Sequence, residues 1–390
     1  MGISIGLVGL GSFGSTFADL FKQHPLVERI ALCDFEPERV KRFAEREDWR
    51  DKFRPADAYA SLEDICRADL DALVIITQPW LHAPQCIQAL ESGKHVYSAV
   101  PVISLPDGDE ILDWCDRLVR TVERTGMHYM LGETTRFRPE TMYCRRRAAE
   151  GAFGRFVHAD AHYLHDVDNP FSNLRDVQRH RTTGRIGSQW HQTARRYADR
   201  GVLDGPMHYP THSMSGPVSV MGAHMTKVVA WGQRDETGDE YFRDSLTNEV
   251  AFFHMSNGAT ASIAECRRIG HAGEETFRIF GTQASFREGH WVTAEKWTKL
   301  TAEEMRDPLP QEVARAFEGQ GGQVAYGGHG GSHAHLVHEF TDAVANDRPP
   351  AVHVWEAVRY MAPGVMAHKS ALRGGELLDV PDWGDRPARH

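Results

Sequence analysis

Gly9, Gly11 and Gly14 form a G-x-G-x-x-G turn directly behind the apolar run Ile3-Ser4-Ile5-Gly6-Leu7-Val8. Each position has a mechanical reason. Gly9 lets the chain turn sharply out of a strand, Gly11 lets the backbone approach a pyrophosphate, and Gly14 lets the next helix pack on that strand. The helix expected from Ser12, with Phe13 in its first turn and Phe17, Leu20 and Phe21 on one face, points its partly positive N-terminus at the phosphates. Asp34 follows twenty residues beyond Gly14, at the end of the apolar run Ile30-Ala31-Leu32-Cys33. Its carboxylate accepts both hydroxyls of an adenosine ribose and repels a 2′-phosphate, so the pattern predicts NAD rather than NADP.

The strand–helix rhythm continues through the first third of the chain. Leu73-Val74-Ile75-Ile76 predicts a central parallel strand, Ala83 to Ser92 a helix, and Gly93 to Ser98 another strand. Leu112 to Glu123 predicts a helix closed by Gly126, and Met127 to Leu131 the last strand. Residues 1–130 therefore read as an α/β Rossmann domain, a doubly wound parallel sheet with ligands at the carboxyl ends of its strands. Later the pattern changes. Phe156 to Tyr163, Val228 to Trp231, Glu249 to Met255, Thr260 to Glu265 and the shorter Phe277 to Phe280 alternate apolar and polar residues. Residues 131–390 are expected to form an α+β substrate domain with a large, mainly antiparallel open sheet. One face would be covered and the other free, which suits a homo-oligomer built through that sheet. Gly319 to Gly331 leads into a final helix-rich segment, and Arg175 to Arg200 reads as either a loop or part of the active-site wall.

Composition narrows the partners. A net charge of −10 over 390 residues argues against a general nucleic-acid binder, since phosphate neutralisation needs clustered excess base. No apolar run reaches the roughly 20 residues that cross a bilayer. The N-terminus lacks a basic n-region and a small-residue cleavage site. Six cysteines without a C-x-x-C pair fit reduced thiols in a cytoplasmic protein. The partner expected is a small molecule.

Three further stretches carry candidate chemistry. Thr77-Gln78-Pro79-Trp80-Leu81-His82 follows the central strand, where a loop would cover the cofactor; Thr77, Trp80 and His82 are placed there. Trp80 either stacks on a flat ring or packs at a helix start. Tyr209 and His212 stand at i and i+3, so a helix beginning near Pro210 either aims both at one cavity, supplying an acid and a base, or packs both in the core. Between Tyr326 and Glu339 lie His329, His333, His335 and His338 among several glycines. The histidines raise the question of a metal, but no H-E-x-x-H pattern is present and none is predicted. The glycines let the backbone approach a ligand closely, with His329 at the substrate.

With these segments in view, the chain resembles the Gfo/Idh/MocA oxidoreductases, most of which are NAD(P)-dependent sugar or polyol dehydrogenases. Those proteins carry Glu-Lys-Pro after the strand that here is Gly93-Lys94-His95-Val96-Tyr97, and the lysine helps move the proton of the reacting hydroxyl. This chain has Ala99-Val100-Pro101, and Val100 can do none of that. The departure, with Tyr163-Leu164-His165-Asp166, Tyr209-Pro210-Thr211-His212, Gly328-His329-Gly330-Gly331-Ser332-His333 and Ser370-Ala371-Leu372-Arg373-Gly374-Gly375, is similar to the NAD-dependent α-N-acetylgalactosaminidases and related oxidoreductive glycosidases.

The resemblance makes His212 and Tyr209 catalytic-site residues. It puts Tyr163 beside the reacting sugar, Glu133 near the nicotinamide, and Val100 and Pro101 against the cofactor. It implies hydride removal from sugar carbon 3, loss of the carbon-2 proton, elimination at carbon 1, water addition and return of the hydride. On this scheme His212 is the base in oxidation, and Tyr209 or Tyr163 handles the carbon-2 proton or the leaving group. NAD-dependent routes are a recognised exception to two-carboxylate glycoside hydrolysis.

Sugar identity would be read in the segment holding Arg175, Arg179, Arg181, Arg185, Arg195, Arg196 and Arg200. Arg195 and Arg196 are expected at the substrate. Arginine forks suit an anionic glycoside such as a sulfoquinovoside, beside the N-acetylgalactosaminide alternative. Otherwise these arginines are solvated and paired to Asp166, Asp168, Asp176 and Asp199. Two rivals stand beside the glycosidase: a sugar dehydrogenase that releases NADH and replaces lysine by His208 or His212, and a non-catalytic sensor of NAD or sugar.

Overall fold

The computed structural model describes residues 2–169, 175, 184–239, 241–242, 245–271, 273–319 and 322–388. Arg179, Arg181 and Asp176 of the arginine-rich segment lie outside the described residues.

The first sheet contains β1 (Ile3–Val8), β2 (Val27–Cys33), β3 (Phe53–Tyr59), β4 (Ala72–Ile75), β5 (His95–Ser98) and β6 (Tyr129–Leu131). They are all parallel in the order β3-β2-β1-β4-β5-β6. The order reverses between β1 and β4, so the turn after β1 and the loop after β4 flank one crevice, where doubly wound sheets bind ligands. β4 is buried along its whole length, as its unbroken apolar run requires. The helix expected over 112–123 runs Gly108–Thr125. Asp107 caps its start by accepting from the N–H groups of Asp109 and Glu110, and Gly126 ends it with a φ of +69°.

The second sheet holds β7 (Phe156–Leu164), β8 (Met225–Arg234), β9 (Leu246–Met255), β10 (Thr260–Cys266), β11 (Glu274–Gly281), β12 (Ala284–Arg287), β13 (His290–Thr293), β14 (Trp297–Lys299) and β15 (Leu378–Asp379). Its order is β14-β13-β12-β11-β7-β10-β9-β8-β15. Among the described residues only β7 and β10 of this sheet pair in parallel, so it is mainly antiparallel as expected. The short meander β12–β14 went unforeseen, although Glu288 and Gly289, both with positive φ, form a two-residue turn between β12 and β13.

Helices Thr211–Met221 and Val354–Leu372 are almost wholly buried and pack on the strands of this sheet. Helix His333–Ala345 returns to the first domain, where Phe340 meets Phe21 at 6.4 Å and Tyr97 at 5.6 Å between ring centroids. The arginine-rich segment is helical over Gly184–Asp199 rather than a loop. It docks on the first domain: Trp190 stacks on Trp80 at 4.6 Å, and the Tyr197 hydroxyl donates to Glu110 at 2.7 Å. All six cysteines are buried free thiols. Among the described residues no helix is long and apolar enough to cross a membrane.

Candidate active site

The three glycines of the first turn divide by what each approaches. A Cβ on Gly9, whose φ is +90°, would stand 2.2 Å from the Ile76 carbonyl oxygen, and one on Gly14 would stand 2.0 Å from the Gly9 carbonyl oxygen. The fold itself demands those two. A Cβ on Gly11 would meet only Arg39, at 3.7 Å, so that glycine keeps the surface above the turn clear. Helix Ser12–Gln23 starts there with no side-chain cap, leaving first-turn N–H groups for an anion. Asp34 is buried beside them; its Oδ2 accepts from Leu10 N at 2.8 Å and its Oδ1 from Glu36 N at 2.9 Å, with Arg39 Nη1 3.5 Å away. This cradle fits a dinucleotide. Gly11→Ala is therefore expected to melt with the parent protein yet lose NAD affinity, whereas Gly14→Ala lowers the melting temperature itself. Thermal melts with and without NAD separate the two.

The loops around the crevice are tied together by His82. Its Nδ1 lies 2.9 Å from the Pro101 carbonyl oxygen and its Nε2 3.3 Å from that of Thr77, so the ring sits between the two loops and its N–H donates to one of these carbonyls. Thr77 donates to Gln85 at 2.5 Å. Trp80, one of whose expected roles was to stack on a flat ring, has Trp190 as its stacking partner. The Val100–Pro101 peptide is cis, and the Val100 carbonyl accepts from the Tyr209 hydroxyl at 3.3 Å.

His212 lies in the first turn of helix Thr211–Met221, with Tyr209 just outside it. Its Nδ1 is 2.9 Å from Oε1 of Glu133, a fully buried carboxylate that also accepts from Thr135 N at 2.9 Å. Nε2 of His212 bonds no described residue. Burial works against the imidazolium, but the Glu133 and Glu275 carboxylates outweigh it and hold the His212 pKa up at about 9. Burial likewise opposes the charge on Glu133, and His212 with the Thr135 N–H keeps it below the usual carboxylate range.

Three aromatic groups surround this pair. The ring of Tyr163 stands edge-on to His212 at 5.3 Å, Tyr209 lies at 5.9 Å, and His329 stacks at 6.4 Å. His329 also contacts Phe13 of the first-turn helix at 5.8 Å, so the glycine–histidine loop touches both the cofactor cradle and the acid–base cluster. Its backbone φ of +49° and its neighbours Gly330 and Gly331 at +69° and +86° shape that close approach. The Tyr163 hydroxyl is hydrogen-bonded to Nδ1 of His165, whose pKa burial and Arg267 lower to about 4.

Four charged residues of the site escaped the sequence reading. Glu275 pairs with Arg138, and His212 and Arg138 overcome its burial to keep it ionised. Arg267 lies 4.5 Å over the Tyr163 ring and donates to Glu265 at 2.9 Å. Glu265 also accepts from the Ser213 hydroxyl, yet burial pushes its pKa up to about 7. A signal did exist. On β10 the inward series is Ala261, Ile263, Glu265, and a carboxylate in register with core residues marks a site.

Other expected residues lie elsewhere. Arg195 and Arg196 are exposed on helix Gly184–Asp199, and no hydrogen bond or ion pair ties either to the His212 cluster. Arg175 pairs with Asp168 and Asp239, and Arg200 with Asp107. His208 is buried against Asp204 and His368 and does not join His212. His335 stacks on Tyr326 and His338 on His24. Among the described residues no group of three or more metal-ligating side chains converges.

Residues 3–132 match the Gfo/Idh/MocA oxidoreductase family, NAD-binding Rossmann fold. Over 98% of its length the chain is 24% identical to a glycosyl hydrolase family 109 protein of Stenotrophomonas maltophilia, covering 89% of that protein. It is 30% identical over 222 residues, 56% of its length, to an alpha-N-acetylgalactosaminidase of Shewanella oneidensis, of which it spans 43%. Among solved structures, scyllo-inositol dehydrogenase from Lactobacillus casei with bound NAD(H) and scyllo-inositol superposes with a TM-score of 0.67 at 15% identity, over 97% of this chain and 99% of that one. Aldose-aldose oxidoreductase from Caulobacter crescentus superposes with 0.69 at 16% identity, over 97% and 100%. These structures share the two-sheet fold. Residues 3–132 thus belong to the Gfo/Idh/MocA oxidoreductase family, and the chain is a distant homologue of glycosyl hydrolase family 109 proteins.

Proposed function

We propose that this protein is an NAD-dependent glycosidase that opens a sugar glycoside through transient oxidation at carbon 3. The observation that carries the reading is the buried Glu133–His212 pair, ringed by Tyr163 and Tyr209, in a chain with valine where sugar dehydrogenases of this kind hold lysine. When bound, NAD⁺ accepts the carbon-3 hydride and returns it at the end of the cycle. His212, backed by Glu133, takes the carbon-3 hydroxyl proton through Nε2 in its unprotonated form, whose share and hence kcat/KM rise as pH climbs towards its pKa of about 9, and gives the proton back on reduction. Tyr209 stands beside the vacated lysine position and, with sugar bound, turns its one hydroxyl proton from the Val100 carbonyl to the same oxygen.

A ketone at carbon 3 acidifies the carbon-2 hydrogen. Tyr163 takes that proton while passing its own to neutral His165. The electron pair forms the carbon 1–carbon 2 double bond as the carbon 1–oxygen bond breaks, and the proton leaves with the aglycone. Water then adds at carbon 1, and carbon 2 is reprotonated. The sum is glycoside plus water giving free sugar plus alcohol, with NAD unchanged. A neutral glycoside suits walls in which Arg138, Arg267 and His212 are already matched by Glu275, Glu265 and Glu133.

Nitrophenyl glycosides, N-acetylgalactosaminide and sulfoquinovoside among them, test this directly with catalytic NAD⁺. Aglycone released over many turnovers without accumulating NADH is expected. NADH formed in step with product identifies a dehydrogenase instead.

The open face of the second sheet is, on the same proposal, the seat of a second copy of the chain. Trp231, Val250 and Phe252 are 56%, 42% and 51% exposed, and Trp231 lies opposite Val250 on the neighbouring strand. So much contiguous apolar surface calls for a partner. Light scattering is expected to give a multiple of 43.9 kDa, and Trp231→Glu with Phe252→Glu to give the monomer.

A further inference from the structure

Helix Pro139–Ala149 carries three consecutive arginines; Arg147 pairs with Glu150, and the other two have opposite fates. Arg146 is fully engaged: it donates to the carbonyls of Met305 and Glu304, each at 3.1 Å, and pairs with Asp307. The Arg145 guanidinium makes no hydrogen bond or ion pair with any described residue. Met142, Arg145, Arg146 and Ala149 stand at i, i+3, i+4 and i+7, and so share one face of the helix. That face lines a cleft of about 450 Å³, closed on other sides by Phe156 and by Val220 and Met221 at the end of helix Thr211–Met221. The volume is that of a small-molecule site.

The electrostatics of the cleft ask for an anion. Burial depresses the pKa of Arg145 and the neighbouring Arg136 adds to the effect, outweighing the Asp307 and Glu356 carboxylates, which are paired with Arg146 and Arg136. Arg136 has its own partners in Glu356 and Tyr360 and offers Arg145 nothing. Arg145 is half-buried and has no hydrogen-bonded counter-ion of its own, so an anion can reach its guanidinium without displacing a partner. Its planar fork takes a carboxylate or phosphate through two parallel hydrogen bonds. Beside that fork lie Met142, Phe156, Val220 and Met221, with Ser219 and Asp307 also on the lining and Asp307 already paired with Arg146.

We propose that this cleft is a second ligand site, separate from the His212 cluster, for a small anionic amphiphile. Its carboxylate or phosphate head sits on Arg145 and its apolar body lies against Met142, Phe156, Val220 and Met221. The occupant touches the last turn of the helix whose first turn carries His212, so the two sites share one rigid element.

Calorimetric titration of the full chain, saturated with NAD so that the dinucleotide cradle is filled, tests this with octanoate, octyl phosphate and octanol as probes. Saturable one-to-one binding of at least one anionic probe is expected, at least about tenfold tighter than octanol. The tighter of octanoate and octyl phosphate identifies the head group. Arg145→Met removes the preference for the anion, Arg145→Lys keeps part of it, and neither changes NAD binding. An anion bound no more tightly than octanol overturns the proposal, as does unaltered anion binding by both Arg145→Met and Arg145→Gln. Since the readout is binding and not turnover, its failure is distinct from failure of the glycosidase reading.

Discussion

Replacing His212 by glutamine is expected to lower turnover by about 10²–10⁴-fold, the usual contribution of a positioned acid–base group. The substitution is chosen to spare the fold. A glutamine amide can still donate to Glu133, which accepts from His212 Nδ1 at 2.9 Å, but it carries no exchangeable base at the position of Nε2. NAD affinity and melting temperature should remain near those of the parent, because Gly11, Asp34 and the first-turn helix are untouched. His212→Ala, which leaves a space the size of the ring, should regain part of its activity when imidazole is added. Full turnover in both variants would remove His212 from the chemistry and leave the Tyr163–His165 pair to carry it.

Glu133→Gln should reveal the charge on that pair through its pH dependence. The folded pKa of His212 is raised from 6.5 to about 9, so its stabilising contribution is complete below pH 6.5 and is lost as pH rises towards 9. Glu133 has the opposite sign. Its folded pKa is lowered from 4.5, so its contribution is present above pH 4.5 and is lost in more acidic solution. The pair therefore stabilises most between pH 4.5 and 6.5. Removing one partner of a buried ion pair costs about 3–5 kcal/mol, so the variant should be markedly less stable near pH 6. Between pH 6.5 and 9 the parent should lose stability from this source while Glu133→Gln changes little, and urea denaturation at several pH values reads the difference. Parallel curves would mean that His212 is neutral throughout. The same variant should shift the alkaline rise of kcat/KM to lower pH, since burial without Glu133 drives His212 towards its neutral form.

The parts of this molecule legible in the sequence are those set by local sterics and periodicity. The Gly9–Gly14 turn admits few backbone paths, so its sequence alone carries the strand, the turn and the helix. β4 is an unbroken apolar run because both its faces are covered, and β7, β9 and β10 alternate because one face is not. Tyr209 and His212 were visible from spacing and from resemblance.

Contacts between distant elements were not legible. Trp80 stacks on Trp190 only because helix Gly184–Asp199 folds back onto the first domain. Glu133 meets His212 because β6 ends beneath the start of helix Thr211–Met221, and no pattern in either segment encodes that meeting. Arg138 and Glu275 find each other in the same way. β12–β14 escaped because strands of three or four residues are too short to display a period.

On the proposed mechanism a hydride is lent and returned within a single turnover while the carbon-2 proton is exchanged. Running the accepted glycoside in D₂O with catalytic NAD⁺ and locating deuterium in the released sugar by NMR tests both halves together. Deuterium at carbon 2, protium kept at carbon 3 and no accumulation of NADH are expected. Product carrying protium at carbon 2, or NADH rising in step with aglycone, would contradict that mechanism.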